Sequence, residues 1–107
     1  MYAVIFEVQP KTELAVQDYF DLAAELRTEL EEIDGFISVE RFSSLSDEEK
    51  FLSISFWRDE KALKQWREHH QHRKAQEKGR GEIFKDYRII VAKVIRDYGI
   101  TNRKEAP

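Results

Sequence analysis

The chain contains no cysteine. Disulfides, thiol nucleophiles and thiolate metal sites are thereby excluded together, and a reducing compartment suits such a chain. Glycine is scarce, with four in 107 residues. Scattered as they are, they build no phosphate loop and no dinucleotide fingerprint, and no serine elbow accompanies them. No apolar run approaches the roughly 20 residues needed to span a bilayer. The opening Met1-Tyr2-Ala3-Val4-Ile5-Phe6-Glu7 lacks a basic start and meets Glu7 too early for a signal peptide. A cytoplasmic location without a membrane partner is the expectation. Positive charge is not in excess either: 18 basic against 21 acidic residues leave a net charge of −3, which argues against nucleic acid as a partner. The locally basic Lys74, Lys78 and Arg80 read as a solvated face, or alternatively as a hold for an anion.

What is present is a modest but real core. The hydrophobic fraction is 41% and includes seven Phe, one domain's worth at this length. Tyr2 to Val8 is short, β-branched and aromatic, and Pro10 should stop it. Thr12 is a good N-cap for a helix to about Glu32, whose stripe is Val16, Phe20, Ala23, Leu26, Leu30 and Ile33. Asp34-Gly35 ends it. The apolar period then becomes two in Phe36 to Ser43 and Phe51 to Arg58, joined as a hairpin through the polar Ser44 to Lys50. Asp59 or a neighbour caps a second helix, about Glu60 to Lys78, with Ala62, Leu63 and Trp66 inward, and Gly79 and Gly81 break it. Ile83-Phe84 reads as a helical turn, Tyr87 to Arg96 as the last strand, and 101–107 as a polar tail after a domain at 1–100.

This order, β-α-β-β-α-β, predicts an α+β ferredoxin-like fold, a four-stranded antiparallel sheet with both helices on one face. Val4, Phe6 and Val8, with Ile37, Val39, Leu52, Ile54 and Phe56, are expected under the helices. The opposite face is expected to carry Ile5, Glu7, Ser38, Glu40, Phe42, Ser55, Trp57, Arg88, Ile90 and Ala92. That face has too many large apolar groups to sit in water, so two copies should pair their sheets as a homodimer.

Asp34-Gly35-Phe36, Ser55-Phe56-Trp57 and Ala62 to Trp66 carry a resemblance, as do Trp66, His72, Ala75-Gln76, Gly79-Arg80 and Asp86-Tyr87-Arg88. With these stretches the chain resembles the antibiotic biosynthesis monooxygenase family of dimeric α/β barrels, from the first strand to Tyr98-Gly99. The resemblance implies an oxygenase needing neither metal nor organic cofactor, whose electron-rich phenol or quinol substrate reacts with molecular oxygen itself. A haem-degrading branch of that family uses an Asn on the first strand, a Trp on the second helix and a His ten residues on. Trp66 matches that Trp, but Gln76 stands at the His position and Tyr2 to Val8 holds no Asn.

Candidate chemistry concentrates on the second helix. Trp66 is either a wall that stacks on an aromatic substrate or simple core packing. Among His69, His70 and His72, three ligands do not converge on a metal, and no Cys completes a site. The family pattern singles out His72 as the general base that takes a phenolic proton, with Gln76 one turn on to orient it; a solvated histidine cluster is the competing reading. Arg88 either anchors substrate or closes an Arg–Glu network with Glu7 and Glu40 on the dimer face. Trp57 and Phe42 join Gln76 and Arg88 as expected substrate contacts. The leading function is a cofactor-independent monooxygenase acting on a small aromatic quinol or phenol. The alternatives are a non-catalytic ligand-binding or stress-associated dimer, and a haem-binding protein.

Overall fold

The computed structural model describes residues 1–77 and 84–102, and at 13, 14, 70–77, 84 and 85 the backbone alone. Its elements are β1 (Tyr2–Pro10), α1 (Glu13–Glu31), β2 (Phe36–Ser43), β3 (Phe51–Trp57), α2 (Glu60–Glu77) and β4 (Phe84–Lys93). The four strands form one open antiparallel sheet in the order β2-β3-β1-β4. This is the expected ferredoxin-like arrangement. Among the described residues no helix is long and apolar enough to cross a membrane.

Local chemistry accounts for the boundaries. Thr12 Oγ1 accepts from the Ala15 N–H at 3.1 Å and opens α1. Asp59 Oδ1 accepts from the Ala62 N–H at 2.9 Å and opens α2. The Ser44–Lys50 turn closes β2 onto β3 through the Ser44 N–H and the Lys50 carbonyl, 3.0 Å apart. Two ends differ from expectation. Pro10 does not stop β1 but lies at its tip, opposite Phe84, where the register with β4 shifts; an irregularity tolerates a residue without an N–H. Phe84 begins β4 instead of forming a helical turn, so the last strand starts three residues early and ends at Lys93. Gly79, Gly81, Ile83 and Arg103 to Pro107 lie outside the described residues. The described start of the expected tail, Thr101 and Asn102, closes a small turn on Gly99.

The register corrects one strand. Tyr2, Val4, Phe6 and Val8 stand opposite Trp57, Ser55, Ser53 and Phe51. Trp57 packs with Leu30 of α1 and Ala62 of α2, which puts this set under the helices. Leu52, Ile54 and Phe56 therefore face the open side, and Ser55 and Trp57 the covered side, the reverse of the expectation. Ile37 falls at a bulge between Phe36 and Ser38 and is 52% exposed, so it leaves the covered face as well. On α1 the buried stripe is Ala15, Tyr19, Ala23 and Leu30. Phe20 is exposed and Leu26 half-buried, a rotation of part of a turn from the expected stripe.

Candidate functional site

The start of α2 is fixed with unusual redundancy. Arg58 forks onto both carboxylate oxygens of Asp34 at 3.1 Å and also donates to Asp59 at 3.0 Å. The Arg58 bond holds the Asp34 carboxyl below its ordinary range. The Ala62 N–H, then Arg58, do the same for Asp59. Gly35, at φ 98°, lies so close to α2 that an added Cβ would stand 2.7 Å from Ala62 Cβ. The helix is thus pinned against the turn before β2.

From that anchor α2 presents Trp66 to the covered face. Trp66 stacks on Trp57 with ring centres 6.2 Å apart, and His69 stacks on Trp66 at 5.9 Å. Phe36 meets Trp57 edge-on at 5.3 Å. Trp57 is fully buried, and its indole N–H donates to Ser55 Oγ at 2.8 Å, so the one polar atom of a large core ring is satisfied. His69 Nε2 sits 3.0 Å from Glu29 Oε2 across the helix pair. A carboxylate in that position orients the imidazole, as in base–orienter pairs.

On the same side of the sheet, β4 is less covered among the described residues. Tyr87, Ile89 and Val91 alternate along β4 on the same side as Phe6, Val4 and Tyr2. They remain 49%, 49% and 58% exposed. Phe6 meets Tyr87 edge-on at 5.9 Å. An apolar strip of this kind can hold a flat, apolar ligand by contact area and ring stacking.

The expected site residues divide. Trp66 is partly buried and packs against the core on the covered side of the sheet. His72 and Gln76 fall on the stretch of α2 described by backbone alone, and Lys74 falls there too; Lys78 and Arg80 lie outside the described residues. Trp57 is buried on the covered side, away from the open face where it was expected. Phe42, 48% exposed, and Arg88 are on that open face. Arg88 Nε donates to Glu7 Oε2 at 2.8 Å, which lowers the Glu7 pKa, with Lys50 adding to the effect at 3.9 Å. Glu40 joins no such network among the described residues. The strip and the Glu29–His69 pair were missed. The strip had a signal: Tyr87 to Ala92 is apolar at both parities, the mark of a strand covered on both faces. Glu29 had none, because only packing brings two helices into register.

Comparison with known proteins agrees with this architecture. Residues 1–78 match the antibiotic biosynthesis monooxygenase family. Over 94 residues the chain is 48% identical to jasmonate monooxygenase ABM of Pyricularia oryzae, a match covering 88% of this chain and 43% of that protein. The chain thus spans less than half the length of that relative. The uncharacterized protein YqjZ of Bacillus subtilis is 32% identical over 96 residues, covering 89% of this chain and 80% of its own. The solved structure of Rv0793 from Mycobacterium tuberculosis superposes with a TM-score of 0.75 at 21% identity, covering 92% of this chain and 98% of that one. The chain belongs to the antibiotic biosynthesis monooxygenase family.

Proposed function

We propose that the chain is the protomer of a homodimeric monooxygenase that takes a small, ring-bearing apolar substrate and molecular oxygen, without metal or organic cofactor. The observation that carries this reading is the half-exposed strip of Tyr87, Ile89 and Val91 beside Phe6, on the same side of the sheet as Trp66. It is apolar and lies on the side of the sheet against which α2, the helix carrying all three histidines, packs. Family membership supplies the reaction class, and fold alone would not. In the proposed reaction a phenol or quinol hydroxyl gives its proton to an imidazole, and the electron-rich ring then passes one electron to oxygen. His72 remains the proposed base by resemblance, with Gln76 one helical turn on in sequence. His69, clasped to Glu29, is the imidazole whose surroundings are described.

The open face supports the dimer. Leu52, Ile54, Phe56, Ile5 and Ile90 join Phe42 there, on the side of the sheet away from both described helices. A second copy would remove them from water and enclose the Glu7–Arg88 pair.

A second substrate reading has its own support. A relative 48% identical over most of this chain is named for jasmonate, so jasmonate belongs in the test alongside aromatics. Oxygen uptake is measured for wild type, His72→Ala and His69→Ala with phenols and quinols alone, and with jasmonate together with a two-electron reductant, since a substrate without a phenol cannot itself reduce the second oxygen atom to water. Loss of a true base lowers turnover about 10²–10⁴-fold. Uptake with none of these substrates would refute the monooxygenase reading.

A further inference from the structure

The half-exposed strip of β4 ends in a cation. Lys93 continues the alternation of Tyr87, Ile89 and Val91 and stands opposite Tyr2, so it shares their side of the sheet. Its side chain is exposed. Same-side neighbours on an antiparallel strand lie about 7 Å apart, a distance that the flexible four-carbon stem of a lysine covers. The ammonium can therefore reach the margin of a molecule resting on Val91 and Ile89.

The surroundings leave that ammonium available. Arg88, another cation of β4, lies on the open side, clasped to Glu7 at 2.8 Å. Lys93 joins no ion pair among the described residues. The acid in the first turn of α2 is Glu60, and its Oε1 accepts from the Tyr2 hydroxyl at 3.1 Å. On the covered side of β1 and β4, Lys93 is the one charged group among the side chains described. Keeping a sheet edge in solution would by itself account for a lysine on β4. It does not account for the three apolar residues at alternate positions leading up to it, each about half exposed.

We propose that Lys93 is a specificity residue of the strip and receives the carboxylate of a molecule whose apolar ring lies on Val91 and Ile89. The inference rests on the strip being the substrate site, and it narrows the substrate class to ring-bearing carboxylates. Apolar contact supplies the affinity, while the ion pair sets the orientation and favours the acid over its neutral analogue. Because Lys93 is exposed, that pair is weak and screened by salt, so its signature is a modest preference that fades as salt rises.

The test measures binding of 2-naphthoate, 2-naphthamide and acetate to the full chain by calorimetry: ring with charge, ring alone and charge alone. At low salt, wild type should bind 2-naphthoate about threefold or more tightly than 2-naphthamide. That preference should disappear near 1 M salt, where the screening length falls to about 3 Å. Lys93→Met keeps an apolar stem, so it should abolish the preference without weakening the amide, and Lys93→Arg should retain it. Glu60→Gln removes the acid beside Tyr2 and should leave the preference in place or enlarge it. Ile89→Asn should weaken acid and amide alike; should it fail to fold, Val91→Thr carries that arm. A preference that survives in Lys93→Met overturns the subsite. So does affinity unchanged by the strip variant, acetate bound as tightly as 2-naphthoate, or a wild type that binds neither naphthalene. The readout needs no turnover. A chain that binds in the expected pattern but takes up no oxygen upholds the subsite and refutes the oxygenase reading instead.

Discussion

The two sides of β3 make an instructive pair. One carries Leu52, Ile54 and Phe56; the other Phe51, Ser53, Ser55 and Trp57. By hydropathy the first should be the core, yet the helices cover the second. Two aromatics at the ends of the strand weigh on the covered side: Phe51 packs against Tyr19 and Phe20 of α1, and Trp57 fills the core. Trp57 brings more apolar surface to the covered side than the serines forfeit, and Ser55 satisfies its indole N–H at 2.8 Å. The serines also leave room for α1 and α2 to sit close. A sheet apolar on both sides is one meant to be covered twice, by helices on one side and by something else on the other.

That contrast can be broken by truncating each side in turn. Trp57→Ala should cost about 3–5 kcal/mol in denaturant melts at fixed protein concentration, as expected of a fully buried aromatic. Phe56→Ala should cost the protomer far less and instead weaken the dimer, read by light scattering across dilution. If Phe56→Ala matched Trp57→Ala in stability and left the mass unchanged, the assignment of sides would be inverted.

A smaller effect tests how the covered side is anchored. Gly35→Ala meets both a left-handed φ of 98° and the Ala62 Cβ at 2.7 Å. It should cost about 1 kcal/mol or more, while Gly99→Ala, with nothing within 4 Å, should be close to silent. Equal melts for the two variants would mean that α2 is not pinned at that turn.

The smallest effect is acid dependence. Asp34 and Asp59 have folded pKa values below their unfolded ones, Asp34 chiefly through Arg58, Asp59 first through the Ala62 N–H and then through Arg58. Their contribution is present above the unfolded value near 3.9 and is lost as pH falls through the lowered folded values. Asp34→Asn should therefore flatten the stability profile below about pH 4 and leave it unaltered in shape at neutral pH. Glu7, lowered by Arg88 on the open face, should act in the same direction, and Glu7→Gln separates its share from that of the covered side's anchor. A profile unchanged by either substitution would show both ion pairs to be inert.

Chain order, caps and periods were legible because each rests on neighbours in sequence. Thr12 and Asp59 cap their helices wherever those helices go, Gly35 takes a left-handed turn that other residues avoid, and alternation marks β2 and β3 as strands. With right-handed crossovers, those elements leave little choice but the ferredoxin-like sheet. Trp66 was legible as an inward aromatic for the same reason. Which side of β3 faced the helices was not, since alternation gives two sets and only packing volume says which is covered. The Glu29–His69 pair, the hydrogen bond from Arg41 Nη2 to the Ala23 carbonyl and the half-exposed strip on β4 were likewise decided by tertiary structure alone. The first two join groups 40 and 18 residues apart in the chain, the strip lies against β1 at the other end of the sequence, and hydrogen bonds, burial and exposed surface exist only once the elements have docked.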